Sequence, residues 1–258
     1  MKQSPGAMLS VALSPEQAQS YLVKAEKSSG LGDLTIACIN SPKNVSLSGP
    51  LNGIDHVKNI LDENNIFARK LQVENAYHSV YMNAIAGDYT HLVGDLEPGR
   101  LVGNLEQPPF YSSVTGSLAS PKDLQTVEYW IKNLVSPVQF FQSITTMFTD
   151  TTPGVKKLGA RKTSAPITEL LEIGPHGALR GPIREIIDEL PQSNKINYDT
   201  LLKRGSSATQ TSLAAAGRLY CRGLYVNIAR INEGKAKHVS KNLLVDLPSY
   251  PFNHSKTY

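Results

Sequence analysis

The chain has 258 residues, 40% apolar and 19% charged, with a formal net charge of +4 at pH 7. Such a length can bury a sizeable core in one large domain or two modest ones. No run approaches the roughly 18–20 apolar residues that a membrane-spanning helix needs. The first seventeen residues lack the apolar core of a secretory signal. Two cysteines, Cys38 and Cys221, do not make a disulfide framework, lack metal-ligand spacing and imply a reducing, cytoplasmic setting. Part of the positive excess falls on Lys156, Lys157, Arg161 and Lys162, which read as a solvated loop or a landing patch for an acidic partner. No basic stripe interleaved with aromatics points to nucleic acid.

The first 78 residues alternate strand and helix signals. Residues 8–13 read as a strand. Ser14-Pro15-Glu16-Gln17 supplies an N-cap, a proline at the first helical position and a capping-box glutamine. The helix that follows places Ala18, Tyr21, Leu22 and Ala25 on one face. Two β-rich runs, 34–39 and 45–47, flank the turn Asn40-Ser41-Pro42-Lys43. A second helix presents Ile54, Val57, Ile60 and Leu61, and a strand over 67–73 leads to His78. This βαββαβ order is the ferredoxin-like pattern.

Beyond His78 the helices lengthen. Residues 80–94 read as a helix and 110–114 as a strand ended by Thr115-Gly116. The periodic region 121–149 is divided by Ser136-Pro137, where the proline can start a second helix. Residues 169–173 form a strand, Gly174-Pro175-His176-Gly177 the turn after it, 182–190 a helix and 198–202 a strand. An alanine-rich helix over 206–222 closes at Gly223. The tail, 243–252, reads as an extended linker or strap.

Several separated segments carry a resemblance to one family. They are Glu74-Asn75-Ala76-Tyr77-His78-Ser79, the hairpin Ala37-Cys38-Ile39-Asn40-Ser41-Pro42 with Val45-Ser46-Leu47-Ser48-Gly49, and Phe110-Tyr111-Ser112-Ser113-Val114-Thr115-Gly116. To these add Tyr129-Trp130 with Asn133-Leu134 and Ser136-Pro137-Val138, then Leu171-Glu172-Ile173-Gly174-Pro175-His176. In order, this set resembles the acyltransferase domain of polyketide synthases. The last part, including Leu247-Pro248-Ser249-Tyr250-Pro251-Phe252, resembles the post-acyltransferase linker of fungal highly reducing polyketide synthases.

The resemblance implies an α/β fold. A ferredoxin-like small subdomain over 1–76 would join the C-terminal part of an α/β-hydrolase-like large subdomain over 77–195. Residues 196–258 would form the linker leading towards a dehydratase domain. The implied activity is transfer of a malonyl group from malonyl-CoA, through a serine ester, to an acyl carrier protein. Implied partners are that carrier domain, with its phosphopantetheine arm, and other synthase domains; no bound cofactor, metal, nucleic acid or membrane is implied. His78 is the implied catalytic base, because a serine hydroxyl needs an imidazole within reach to become a nucleophile. Asn40 and Ser41 are implied to face the cleft and contact substrate, although Asn-Ser-Pro is also ordinary turn chemistry. His176 is expected near the site in a structural role, and Tyr129 and Trp130 in the core.

No Gly-x-Ser-x-Gly elbow occurs among the 258 residues. The chain by itself is therefore expected to be inactive, as an N-terminally truncated acyltransferase. Two alternatives stand beside that reading. One is a non-catalytic scaffold that docks carrier proteins or completes a split acyltransferase; the other is a gene fragment without function.

Overall fold

Strand β1 (Gly6–Val11) turns Ala7, Leu9 and Val11 toward one face, and all three are buried. Helix α1 (Pro15–Ser29) begins with the expected capping box: Gln17 N–H donates to the Ser14 hydroxyl at 3.3 Å, and Ser14 N–H donates to Gln17 Oε1 at 3.0 Å. Two N–H groups that the helix cannot satisfy internally are thereby paired. Strands β2 (Thr35–Ser41) and β3 (Asn44–Pro50) form a hairpin, followed by α2 (Leu51–Glu63) and the short β4 (Ala68–Lys70). The sheet order is β2-β3-β1-β4, antiparallel at every neighbour, with Leu9 opposite Leu47 and Val11 opposite Val45. Ala18, Leu22 and Ala25 of α1 and Ile54, Val57 and Leu61 of α2 close over these strand residues in one core. Each fully buried side chain of Leu or Ile size contributes roughly 1.5–3 kcal/mol of transfer free energy. The computed structural model describes residues 5–30, 33–97, 108–149, 167–190 and 196–233. The basic cluster at 156–162 and the tail at 243–252 lie outside them.

Two elements differ from expectation here. The hairpin turn is tighter, with Asn40 and Ser41 inside β2 and only Pro42-Lys43 turning. A register shift between Ile39 and Ser41 lets Ser41 pair with Asn44. The strand expected over 67–73 is three residues long, an edge strand that pairs only with β1, and Phe67 is exposed.

After His78 a 3-10 turn (Val80–Met82) runs into α3 (Asn83–Val93) in place of a single helix. The expected strand at 110–114 is a two-residue hairpin arm, β5 (Tyr111–Ser112), paired with β6 (Ser117–Leu118). Gly116, at φ 70°, makes the turn between them. Helices α4 (Val127–Val135) and α5 (Phe140–Thr149) are separated at Ser136-Pro137 as expected. The second helix nevertheless starts three residues after the proline. Val138 is held as a parallel bridge on β2: its N–H donates to Ala37 O at 2.8 Å and its carbonyl accepts from Ile39 N–H at 2.9 Å. Strands β7 (Glu169–Glu172) and β8 (Asn197–Thr200) form a two-stranded sheet, with α6 (Arg180–Asp188) between them in sequence.

The chain divides into two compact units, residues 1–172 with 177–199 and residues 173–176 with 200–258. In the second unit, α7 (Ala208–Cys221) is capped by Ser207 and precedes α8 (Ile228–Glu233). Gly223, at φ 85°, ends α7 as expected; its N–H donates to Tyr220 O at 2.9 Å and Leu224 N–H to Leu219 O at 3.1 Å.

Candidate active site

The segment that leads to His78 is tied to β1, and His78 itself is tied to the end of α4. Upstream, Gly6 N–H at the start of β1 donates to Glu74 O at 3.1 Å. A Cβ on Gly6 would stand 2.3 Å from Ala76 N, so only glycine permits this approach of β1 to the histidine segment. Next in sequence, the buried Ser79 ties the segment back on itself, donating to Ala76 O at 2.5 Å and accepting from Tyr81 N–H at 3.3 Å. Between these ties His78 adopts φ 56°. That left-handed conformation costs a non-glycine residue about 1–2 kcal/mol.

The last turn of α4 receives the histidine. Its carbonyls have no partner within the helix. Ser136 N–H takes Lys132 O at 2.9 Å, His78 N–H takes Leu134 O at 3.2 Å, and His78 Nδ1 lies 2.9 Å from Asn133 O. A carbonyl can only accept, so Nδ1 carries a proton here, and in the neutral ring Nε2 presents its lone pair. The imidazole is half-buried, with Nδ1 engaged by the end of α4.

Asn40 and Ser41 sit on β2 with their side chains engaged. Asn40 Nδ2 donates to Asn44 Oδ1 at 2.8 Å and to Ser46 Oγ at 3.3 Å. Ser41 is 0% exposed; its hydroxyl donates to the Glu185 carboxylate on α6 and accepts from Lys43 N–H at 3.2 Å. Both residues brace the hairpin, and Ser41 fastens it to α6. Beside them Cys38 is pushed from its ordinary value of 9.0 up to about 11, chiefly by burial and against the opposing effect of a Ser46 hydrogen bond. It is a protonated, packed thiol at neutral pH.

His176 belongs to the second unit, where Arg204 Nη2 lies 3.4 Å from its Nδ1. A guanidinium only donates, so this ring carries its proton on Nε2, the opposite tautomer to His78. In the first unit, the Glu172 carboxylate accepts from Ala178 N–H at 3.0 Å, from Leu179 N–H at 3.2 Å and from the Tyr198 hydroxyl, securing the start of α6. Among the described residues no group of three or more His, Cys, Asp or Glu side chains could hold a metal ion. None of their helices is long and apolar enough to cross a membrane.

Sequence reasoning singled out His78 but missed what holds it. The Asn133 and Leu134 carbonyls are main-chain groups with no residue signature, and Glu185 stands 144 positions from Ser41. Tyr129, read as core, is indeed buried, with a hydroxyl that also has a partner, Ser112. Trp130, also read as core, is instead exposed at the surface and donates its Nε1–H to Leu124 O at 3.0 Å.

Residues 1–156, which include the His78 segment and its α4 seat, match the acyl transferase domain family. The chain belongs to the acyl transferase domain family. Within that family it is 47% identical, over 98% of its length, to Highly reducing polyketide synthase 40 of Fusarium mangiferae. Identity to Highly reducing polyketide synthase cla2 of Cladosporium cladosporioides is 41%, again over 98% of the chain. The chain spans about a tenth of the length of these curated relatives, 10% of each. Its α/β acyl transferase fold is shared with the acyltransferase domain from module 8 of the salinomycin polyketide synthase. The TM-score there is 0.67 at 22% identity, covering 86% of this chain and 46% of that one.

Proposed function

We propose that this chain supplies the histidine base of an acyltransferase that loads malonyl units onto the acyl carrier protein of a fungal highly reducing polyketide synthase. The observation that carries the reading is the Nδ1 contact to Asn133 O, which leaves Nε2 as the acceptor. The nucleophile is a serine on a Gly-x-Ser-x-Gly elbow, which this sequence does not contain. Nε2 of His78 takes the serine proton as its oxygen attacks the malonyl thioester carbonyl. The resulting imidazolium returns that proton to the departing coenzyme A thiolate, leaving malonyl as a serine ester. In the second half, Nε2 takes the proton of the phosphopantetheine thiol, whose sulfur attacks the ester, and the proton returns to the serine oxygen. The negative end of α4 meets the ring through the Asn133 carbonyl, which favours the transient positive charge. An aspartate is not needed to orient the imidazole, because Asn133 O already selects the tautomer.

The same proposal assigns residues 1–76 to a ferredoxin-like lid, a reading supported by the sheet order β2-β3-β1-β4. It assigns 77–195 to the large subdomain and 196–258 to the linker towards a dehydratase domain. Asn40 and Ser41 then keep the lid hairpin in shape, and contact with substrate would require them to give up present partners. His176 serves structurally through Arg204. No cofactor is required, since base, nucleophile and thioester complete the chemistry, and the setting is cytoplasmic.

The test adds a separately expressed acyltransferase segment bearing the elbow serine to this chain, with radiolabelled malonyl-CoA and a phosphopantetheinylated carrier protein. Malonyl transfer should need both pieces and should fall at least about 10³-fold with His78→Gln. Transfer unaffected by His78→Gln would sink the proposal. Carrier binding without any transfer would replace it with the docking-scaffold reading.

A further inference from the structure

We propose that Tyr129 and Ser112 are positioning residues for His78, acting through α4. The proposal rests on the reading of His78 as the base and concerns what keeps its tautomer. Two of the last carbonyls of α4 are the seat of the histidine. Any rotation or slide of α4 therefore moves the acceptor of Nδ1–H. One turn before Asn133, Tyr129 is the only fully inward side chain of α4 among the described residues, 8% exposed. Its hydroxyl lies 2.7 Å from Ser112 Oγ, and Ser112 is 0% exposed.

Ser112 is itself fixed. Its oxygen accepts from Val114 N–H at 3.0 Å, and its carbonyl accepts from Gly116 N–H at 2.8 Å. The β5–β6 hairpin that carries it is in turn tied to the start of α5, where Gln139 N–H donates to Ser113 O at 2.6 Å. Thr146 Oγ1 donates to Gly116 O at 2.8 Å. Val138, just before α5, is bridged to β2. A fixed frame thus runs from the sheet through Val138 and the hairpin to Ser112, and the hydroxyl pair pins α4 to it. Two further side-chain ties among the described residues are at its N-terminal end: Thr126 Oγ1 accepts from Tyr129 N–H, and Trp130 Nε1–H donates to Leu124 O. Near the last turn, the Val138 bridge fixes the chain just beyond α4, and the Tyr129–Ser112 pair holds the helix one turn before Asn133. The pair does not touch reacting atoms; it acts through the Asn133 carbonyl.

The experiment labels the full chain with ¹⁵N-histidine and reads the His78 ring nitrogens by two-bond ¹⁵N–¹H correlation, assigned by their loss in His78→Gln. The parent should show a protonated Nδ1 and an acceptor Nε2. Tyr129→Phe, which removes a single oxygen, and Ser112→Ala should lose that signature to a mixture of tautomers while far-UV circular dichroism stays unchanged. Ser112→Thr, which restores the hydroxyl, should recover it. Ser14→Ala, on α1, should not disturb it, which separates positioning from general loss of stability. Tyr129→Phe and Ser112→Ala chains that stay folded and keep the parent pattern would overturn the proposal, as would a parent without protonated Nδ1. Acyl transfer is not read in this experiment. A tautomer shift alongside absent transfer therefore fails the catalytic reading and keeps the coupling, and the reverse result fails the coupling alone.

Discussion

His78 occupies a backbone conformation that costs a histidine about 1–2 kcal/mol, and five hydrogen bonds in and around its segment hold it there. Strain of this kind persists where the surroundings over-determine a position, and here the over-determination also chooses the proton's location. Cys38 illustrates the opposite case, a potential nucleophile silenced by its surroundings. Its thiol is raised to about 11 while an unfolded thiol keeps its ordinary 9.0. A raised folded value means that stability from this group is complete below pH 9 and fades as pH climbs toward 11, where the unfolded chain ionises first. Denaturant melts at pH 8, 9.5 and 11 should show this loss in the parent and a smaller one in Cys38→Ala. Iodoacetamide at pH 8 should modify the exposed Cys221 and spare Cys38 until the chain is unfolded. Equal labelling of both in the native chain would contradict the burial argument.

At the scale of elements, helix ends carry the strongest local information. The capping box of α1 pairs both Ser14 and Gln17, and Ser14→Ala should cost about 1 kcal/mol, read as a lower denaturation midpoint with unchanged slope. Helix α4 differs because its C-terminus is capped from outside, by a residue 55 positions away. Its length and its N-cap Thr126 are ordinary. It ends where its last carbonyls accept from His78. The Ser136-Pro137 break enforces that ending, and Val138 anchors the break to β2.

Across the whole first unit, the core under α1 and α2 is what keeps β1, and hence Gly6 and the histidine segment, in place. Leu47 is 0% exposed at the centre of that core, facing Leu9 across the sheet. Leu47→Ala should destabilise the chain by about 2–5 kcal/mol, the range for removing a buried leucine side chain. Thermal unfolding measures it, and native-state hydrogen exchange should accelerate together at β1 and β3. An effect below about 1 kcal/mol would mean that the sheet is not the stabilising centre of this unit.

The sequence by itself determined the helices with caps, the apolar faces of α1 and α2, the break between α4 and α5, the glycine end of α7 and the histidine motif. These depend on residues three or four positions apart, or on a period that side chains of one element share, so they can be read without knowing the fold. Short edge elements were less legible: β4 and β5 fell short because a strand lasts only as long as its partner offers hydrogen bonds. Only the tertiary structure decided that Ser41 turns to Glu185, that Val138 joins β2, and that Nδ1 of His78 meets the Asn133 carbonyl. In each case the partner lies far along the chain and two of the three are backbone carbonyls, which every residue has and no residue type announces.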